Sequence, residues 1–377
     1  MNTQQFGSAL KELGFDFYSG VPCSFLKYLI NYAINECDYV MAANEGDAVA
    51  TSAGAYLAGK KSVVLMQNSG LTNATSPLTS LNYSFQLPVL GFVSLRGEAG
   101  LNDEPQHELM GQITGDMLTS MKVEWEYLSN DLDEAKNQLI RANKAIENNK
   151  TFFFVVKKGT FDEITLKPQN VSTTFAKELK HSEKEEALPT RTEALKTISD
   201  WADSKTALLA TTGKTGRELF EIEDKPNNLY MVGSMGCISS MALGLALAAN
   251  TKKSVAIDGD GAALMRMGNF GTNGYYHPDN LLHILLDNTT HDSTGGQATI
   301  SPNIDFATVA HATGYPVAIK VNTLAELKAE LNNWSANQKA TFIHLKIAKG
   351  SPKELGRPTI KPYEVKERLM NFLKTDE

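Results

Sequence analysis

Two apolar runs of this chain end in polar residues able to hold a cation. VAIDGDG closes on Gly259-Asp260-Gly261, and NLLHILLDN closes on Asp287-Asn288. Asp260 and Asn288 are 28 positions apart, room for one helix and one returning strand. Both polar ends can then meet at one sheet edge. There they would offer hard oxygen ligands to a small cation, whose near-octahedral shell is completed by water and diphosphate oxygens. The glycines let backbone approach a phosphate closely. A bare Gly-Asp-Gly is common, but with the helix, strand and Asn in place it is specific.

A second glycine turn, Gly233-Ser234-Met235-Gly236, lies between a strand and the helical run CISSMALGLALAA. Free N–H groups at such a helix start suit an anionic diphosphate. The plainer alternative is a helix cap with Ser234 as the capping residue. The run TTGKTGREL ends like a P-loop, but that motif needs glycine at position 208, where Leu208 stands, so a P-loop ATPase is rejected. Thr212 and Gly213 are read as a further glycine turn at a strand end. Lys214 and Arg217 are left as either helix-surface residues or anion contacts.

The elements that must position these residues alternate along the chain. FDFYSG, YVMAAN, KSVVLMQN, LPVLGFVS, VEWEYL and TFFFVVKK in the first half read as strands separated by helical patterns. TALLATTG, NLYMVG, KSVAIDGDG, NLLHILLDN, PVAIKV and TFIHLKIA do so in the second. This alternation predicts an α/β protein with two doubly wound parallel-sheet domains. The expected boundaries are residues 1–165 and 193–377, with a linker over 166–192 inside a Lys/Glu-rich stretch of no sustained periodicity.

The length of 377 residues suits two domains, and 42% hydrophobic residues suffice for large cores. A net charge of -7 without a basic stripe argues against a nucleic-acid partner. Three widely spaced cysteines form no disulfide framework, which fits a reducing compartment. The start MNTQQFGSALKELG reads as an amphipathic helix rather than a signal peptide. No apolar stretch is long enough to span a bilayer. The expectation is a cytoplasmic protein without a membrane partner.

Glu45, in MAANEGDAVATSAGAYLAGKK, follows a strand and opens a helix of small residues. Read alone, it complements the helix dipole. Together with the second-half motifs, the chain resembles the thiamin-diphosphate-dependent 2-oxo acid decarboxylases. The resemblance implies a pyrimidine-binding first domain, a diphosphate-binding second domain, no middle domain, and thiamin diphosphate with Mg2+ as cofactors. It implies that Glu45 bonds the pyrimidine N1' and favours the tautomer that removes the thiazolium C2 proton. It also implies that Met235, 25 positions before Asp260, wedges between the cofactor rings; the bland alternative is a core methionine. The expected cofactor contacts are Thr212, Gly213, Gly233, Ser234, Met235, Gly236, Gly259, Asp260, Gly261, Ala262 and Asn288. Asp260, Asn288 and Thr290 are the expected metal ligands.

GVPCSFLKYLIN, QNSGLTNATSPLTSL, LRGEAGLNDEPQHELMGQIT, TTGKTGREL and LDNTTHDSTGGQ are similar to the phosphonopyruvate decarboxylase subgroup, with sulfopyruvate decarboxylases as near neighbours. This implies a 2-oxo acid substrate with an anionic C3 group, and a homo-oligomer, at least a dimer, with sites between subunits. The paired histidines of pyruvate decarboxylases are missing. His107 in DEPQH stands in the corresponding region, either as the proton donor to the product carbon or as a surface-loop histidine. Ser24, Asn68, Arg96, His291, Thr294 and Gly295 are candidate substrate contacts, since a glycine nest and a forked guanidinium suit a phosphonate dianion. A carboligase and a catalytically silent cofactor-binding protein are the alternatives from other classes.

Overall fold

All twelve runs read as strands form strands in the computed structural model, which describes residues 1–169, 177–183, 187–249 and 251–374. The chain divides into two compact units, Met1–Val171 and Ser172–Glu377.

The first unit carries β1 (Phe15–Gly20), β2 (Asp38–Met41), β3 (Lys61–Gln67), β4 (Leu90–Ser94), β5 (Glu124–Tyr127) and β6 (Phe152–Val156). They pair in parallel in the order β2-β1-β3-β4-β6-β5. β4 and β6 are buried at every position, which is why LGFVS and FFFVV lack the alternation of a half-exposed strand. Edge strands β2 and β5 keep exposed polar positions. Phe6, Phe92, Phe154 and Phe161 anchor one core layer, with Phe92 and Phe154 ring centroids 5.4 Å apart.

The second unit repeats this plan with β7 (Glu178–His181), β8 (Thr206–Ala210), β9 (Asn228–Tyr230), β10 (Lys253–Gly259), β11 (Leu281–Asp287), β12 (Val317–Val321) and β13 (Thr341–Lys346). Their order is β7-β12-β13-β11-β10-β8-β9, again all parallel. Its core packs Phe270, Tyr315 and Phe342 around the buried His283.

The segment read as a linker differs from that reading. Residues 170–176 and 184–186 of it lie outside the described residues, but Glu178–His181 is a strand, β7, at the open edge of the second sheet. Its charged composition is that of an edge strand facing water, which periodicity cannot tell from a solvated linker. A helix, Arg191–Trp201, also begins within the segment, opened by a capping box between Thr190 and Glu193.

Each sheet has a switch point on its C-terminal edge. In the first unit the chain leaves β1 outward to β2, then returns to β3 on the other side. In the second it leaves β8 outward to β9 and returns to β10. The loops after such neighbouring strands diverge and leave a crevice.

Candidate active site

In the second unit the crevice lies at the ends of β8, β10 and β11. Thr211, Thr212, Lys214, Met235, Gly259, Asp260, Gly261, Ala262, Asn288, Thr290 and His291 line one pocket there. The sheet register accounts for this convergence: β10 pairs with β8 on one side and β11 on the other, so Ala210, Gly259 and Asp287 close adjacent strands.

Asp260 is the first residue of a short helix, Asp260–Met265, and only 2% exposed. Burial, and after it the charge of nearby Asp287, push its carboxyl above the usual carboxylate range, against the lowering effect of the Thr299 and Ser301 hydroxyls and the Gly261 N–H. Thr299 Oγ1 donates to Asp260 Oδ2 and lies 2.9 Å from Ser301 Oγ, which donates to Asp287 Oδ1. Asp287 Oδ2 meets His344 Nε2 at 3.1 Å. Burial works to raise the Asp287 carboxyl, but His344, Ser301 and the Thr289 N–H outweigh it and hold it low.

Asn288 Nδ2 donates to Asp292 Oδ2 at 2.6 Å, and the Thr290 hydroxyl donates to Asp292 Oδ1 at 2.9 Å. Thr290 can then offer a cation its carbonyl, or the hydroxyl oxygen, which keeps its lone pairs when it donates. Arg191, buried at the start of its helix, donates to Asp292 Oδ2 at 2.6 Å and to Glu218 Oε1 at 2.8 Å. Burial would raise the Asp292 carboxyl; Arg191 and Thr290 more than offset it.

Gly261 is required by contact. A Cβ there would meet His291 Cε1 at 2.4 Å and Met235 Cε at 3.3 Å. Met235 is partly exposed and borders the pocket, so it is not a core methionine. Ser234 does not cap the following helix: Ile238–Ala248 has Cys237 at its N-cap, without a side-chain cap bond. Instead Gly233, Ser234 and Gly236 take left-handed φ values of 61°, 41° and 91°, a turn that redirects successive backbone N–H groups. Gly213, with φ 93°, caps the helix Lys214–Ile222. Arg217 lies apart from the pocket and donates to the Leu355 and Gly356 carbonyls. Thr294 and Gly295 are exposed at the tip of a small hairpin pairing Thr290–His291 with Gln297–Ala298, and Gly233 is exposed as well; none of the three lines the pocket.

These residues fit a diphosphate with its cation. Thr211 Oγ1 is buried beside the pocket without a hydrogen-bond partner, a hydroxyl placed to receive or donate to a ligand. Among the described residues no group of three or more His, Cys, Asp or Glu can hold a metal. One carboxylate, one amide and one Thr290 oxygen make an incomplete oxygen shell, the kind Mg2+ completes with water and phosphate oxygens.

In the first unit the crevice residues differ in kind. Glu45 opens the helix Glu45–Leu57, which is buried at nearly every position because its small residues let it lie close against β1 and β3. Asn44 caps it, accepting from Gly46 N at 2.8 Å. Glu45 is 9% exposed, and its Oε2 accepts from Asn73 Nδ2 at 2.8 Å. Gly70 makes room for it: a Cβ there would meet Glu45 Oε1 at 2.1 Å.

Asn68 is fully buried and donates to the Arg96 carbonyl at 2.8 Å and the Thr114 hydroxyl at 3.1 Å, with its Oδ1 unpartnered. Arg96 lies over the Phe25 ring and is gripped by Asp103, whose carboxyl this pairing holds well below the usual range. Its Nη1 reaches Ser24 Oγ at 3.3 Å. Ser24, Phe25, Tyr28, Arg96 and Lys158 line a pocket of this unit. His107 is 7% exposed, which excludes the surface-loop reading, and its Nδ1 has no hydrogen-bond partner.

Sequence reasoning did not single out Arg191, Asp292, Thr299, Thr211 or Asn73, and it read Gly70 as a substrate contact rather than as room for Glu45. Asp292, four residues past Asn288, was within reach of a local reading. So was Thr211, next to Thr212 at the end of β8; Arg191, Thr299 and Asn73 come from separate stretches of chain.

Known proteins bear on this geometry directly. The family model described as thiamine pyrophosphate enzyme, N-terminal TPP binding domain, matches residues 3–118, and the corresponding C-terminal TPP binding domain matches residues 212–345. The benzoylformate decarboxylase structure from Polynucleobacter necessarius superposes with a TM-score of 0.74 at 14% identity, covering 95% of this chain and 100% of that one, a likeness of fold. The fold and its two switch-point sites are those of a thiamin-diphosphate enzyme of parallel-sheet type.

The phosphonopyruvate decarboxylase of Streptomyces hygroscopicus is 37% identical over 370 residues, covering 97% of this chain and 92% of that one. The sulfopyruvate decarboxylase of Methanosarcina acetivorans is 27% identical, covering 97% and 95%. The chain belongs to the phosphonopyruvate decarboxylase family.

Proposed function

We propose that this protein decarboxylates 3-phosphonopyruvate to phosphonoacetaldehyde and CO2, with thiamin diphosphate and Mg2+ as cofactors. The observation that carries the reading is the convergence of Asp260, Asn288 and Thr290 at the β8–β10 switch point, in a chain similar to phosphonopyruvate decarboxylases over nearly its whole length. When bound, thiamin diphosphate would supply a nucleophilic carbon for the substrate ketone and a sink for the electron pair released as CO2 leaves.

The chain's own residues do the rest. Asp260, Asn288 and a Thr290 oxygen hold the cation, and the turns at 211–213 and 233–236 hold the diphosphate. Met235, bordering the same pocket, would pack against the cofactor rings. Glu45 holds a proton at its carboxylate, with Asn73 orienting it. His107 carries the proton delivered to the product carbon. Arg96, Lys158 and Ser24 form the cationic recess for the phosphonate. The product aldehyde belongs to phosphonate biosynthesis of the 2-aminoethylphosphonate type.

CO2 release from phosphonopyruvate, sulfopyruvate and pyruvate, each with and without thiamin diphosphate and Mg2+, tests the assignment. Comparable kcat/KM for pyruvate and phosphonopyruvate would overturn the anionic-substrate claim. Preference for sulfopyruvate would move the chain to the neighbouring activity, a reading kept by the Methanosarcina relative.

Assembly belongs to the same proposal. Glu45 lies in one unit and Asp260 in the other, and the family resemblance has each complete site shared by two subunits, so the protein is a homo-oligomer, at least a dimer. Cofactor binding and association then strengthen one another. Mixing Glu45→Gln chains with Asp260→Ala chains under subunit exchange should restore part of the activity; a fully active monomer contradicts the assignment. No helix among the described residues is long and apolar enough to cross a membrane, and the three cysteines are free thiols. A cytoplasmic location is part of this proposal.

A further inference from the structure

The amide of Asn288 has two faces, and only its oxygen can bind a cation. Rotating the amide by half a turn would present NH2 to the metal instead. Asp292 decides between the two together with the Thr290 N–H, which donates to Asn288 Oδ1 at the longer distance of 3.3 Å. An ionised carboxylate only accepts hydrogen bonds, and Asn288 Nδ2 lies 2.6 Å from Asp292 Oδ2. Were the amide reversed, two oxygens would face each other at that distance.

Asp292 is itself fixed from several sides. Oδ2 also accepts from Arg191 Nη2 at 2.6 Å and Gly350 N at 3.3 Å, while Oδ1 accepts from the Thr290 hydroxyl at 2.9 Å. Arg191 is anchored in turn by Glu218 Oε1 at 2.8 Å and Ser351 Oγ at 3.1 Å. The backbone between the two ligands is strained to serve this arrangement. Thr289, a β-branched residue, sits at φ 60°, held by its N–H on Asp287 Oδ1 at 3.0 Å and by Thr299 N on its carbonyl at 2.9 Å. A left-handed Thr persists only where its surroundings over-determine it. Here it lets Asn288 and Thr290 both reach one carboxylate.

We infer that Asp292, held by Arg191, is the positioning residue that turns the Asn288 amide oxygen toward the cation and tethers the Thr290 side chain beside it. The inference rests on the proposed metal role of Asn288. Arg191 enters from the segment whose sequence looks like plain linker, so a residue about a hundred positions away controls the geometry of the metal ligands.

The test is Mg2+ affinity at saturating thiamin diphosphate, measured by calorimetry on the full chain, beside the melting temperature of the cofactor-free protein. Asp292→Asn should weaken Mg2+ binding by about 10- to 100-fold, the range for removing an outer-shell partner of a metal ligand. Its cofactor-free melting temperature should fall no further than that of Thr192→Val, which removes a hydrogen bond to Glu218 from the same buried network without touching Asp292. Asn288→Asp combined with Asp292→Asn should recover the affinity, because a carboxylate at 288 presents an oxygen in either orientation. The swapped pair keeps one amide in contact with one carboxylate, so it also decides the matter if Asp292→Asn does not fold. Unchanged Mg2+ affinity in Asp292→Asn, or no recovery in the folded double variant, overturns the positioning role. If Asn288→Ala also leaves Mg2+ affinity unchanged, the metal assignment itself falls, and this inference with it.

Discussion

The two units solve different problems with one architecture. Each is a parallel sheet whose neighbouring strands diverge at a switch point, and each sets its functional side chains just past the strand ends. In the first unit the key carboxylate, Glu45, has one side-chain partner, Asn73, and a glycine cleared to make room for it. In the second, Asp260, Asn288 and Thr290 are embedded in bonds to Thr299 and Asp292, with Arg191 behind Asp292 and with Ser301, Asp287 and His344 in series behind Thr299. The contrast fits the proposed roles: the group proposed to hold and release a proton is lightly tied, and the groups proposed to hold a cation are tied from several sides, because Mg2+ tolerates little departure from octahedral geometry.

Four experiments would break or sharpen that contrast. The largest effect is expected from Asp260→Ala and Asn288→Ala, each of which should abolish Mg2+-dependent binding of thiamin diphosphate in calorimetry. Unchanged cofactor affinity in both would remove the metal centre from the second unit. Glu45→Gln should keep cofactor affinity and lose roughly 10²-fold or more in kcat, the scale for a proton-transfer group. Near-native turnover would mean the lightly tied carboxylate has no part in the chemistry.

Arg96→Ala should raise KM for phosphonopyruvate about 10- to 100-fold, the equivalent of one lost charged hydrogen bond. KM for pyruvate should stay within about two-fold. An equal rise for both substrates would show that Arg96 holds the loop through Asp103 and reads no anion.

The smallest effect concerns pH. The Asp287 carboxyl is held below its ordinary value by His344 and Ser301, although burial opposes them. Such a group adds stability above its unfolded pKa, about 3.9, and that stability is lost as pH falls through the lower folded value. Cofactor-free Asp287→Asn should therefore be less stable at neutral pH and lose less on acidification, read as a shallower acid limb of the melting temperature. An acid limb identical to wild type would show that the Asp287–His344 contact contributes nothing through its charge.

Much of this was legible in the chain. Twelve strands could be read because buried parallel strands are continuous apolar runs ended by polar or glycine turns. The β7 strand could not be, since ELKH has the composition of solvated surface and becomes a strand only by pairing with Val317–Val321. A helix cap was the plainer alternative for Ser234, because a serine before a helical run is often one; the left-handed turn at 233–236 puts the cap at Cys237 instead. Arg96 was read as a fork for a phosphonate, but Asp103, seven residues on, occupies two of its donors.

What the sequence determined by itself was local: strand runs, the Gly-Asp-Gly turn, the 28-position return to Asn288, and a helix of small residues opened by Glu45. These depend on spacing and side-chain size, which a chain carries whatever it folds into. Tertiary structure alone decided who touches the functional groups. Arg191 reaches Asp292 across 101 positions, Thr299 reaches Asp260 across 39, and Gly70 clears the Glu45 carboxylate. No periodicity records such pairings. A hydrogen bond needs two groups within about 3 Å, and which loops come that close is fixed only when the strands have taken their order in the sheet.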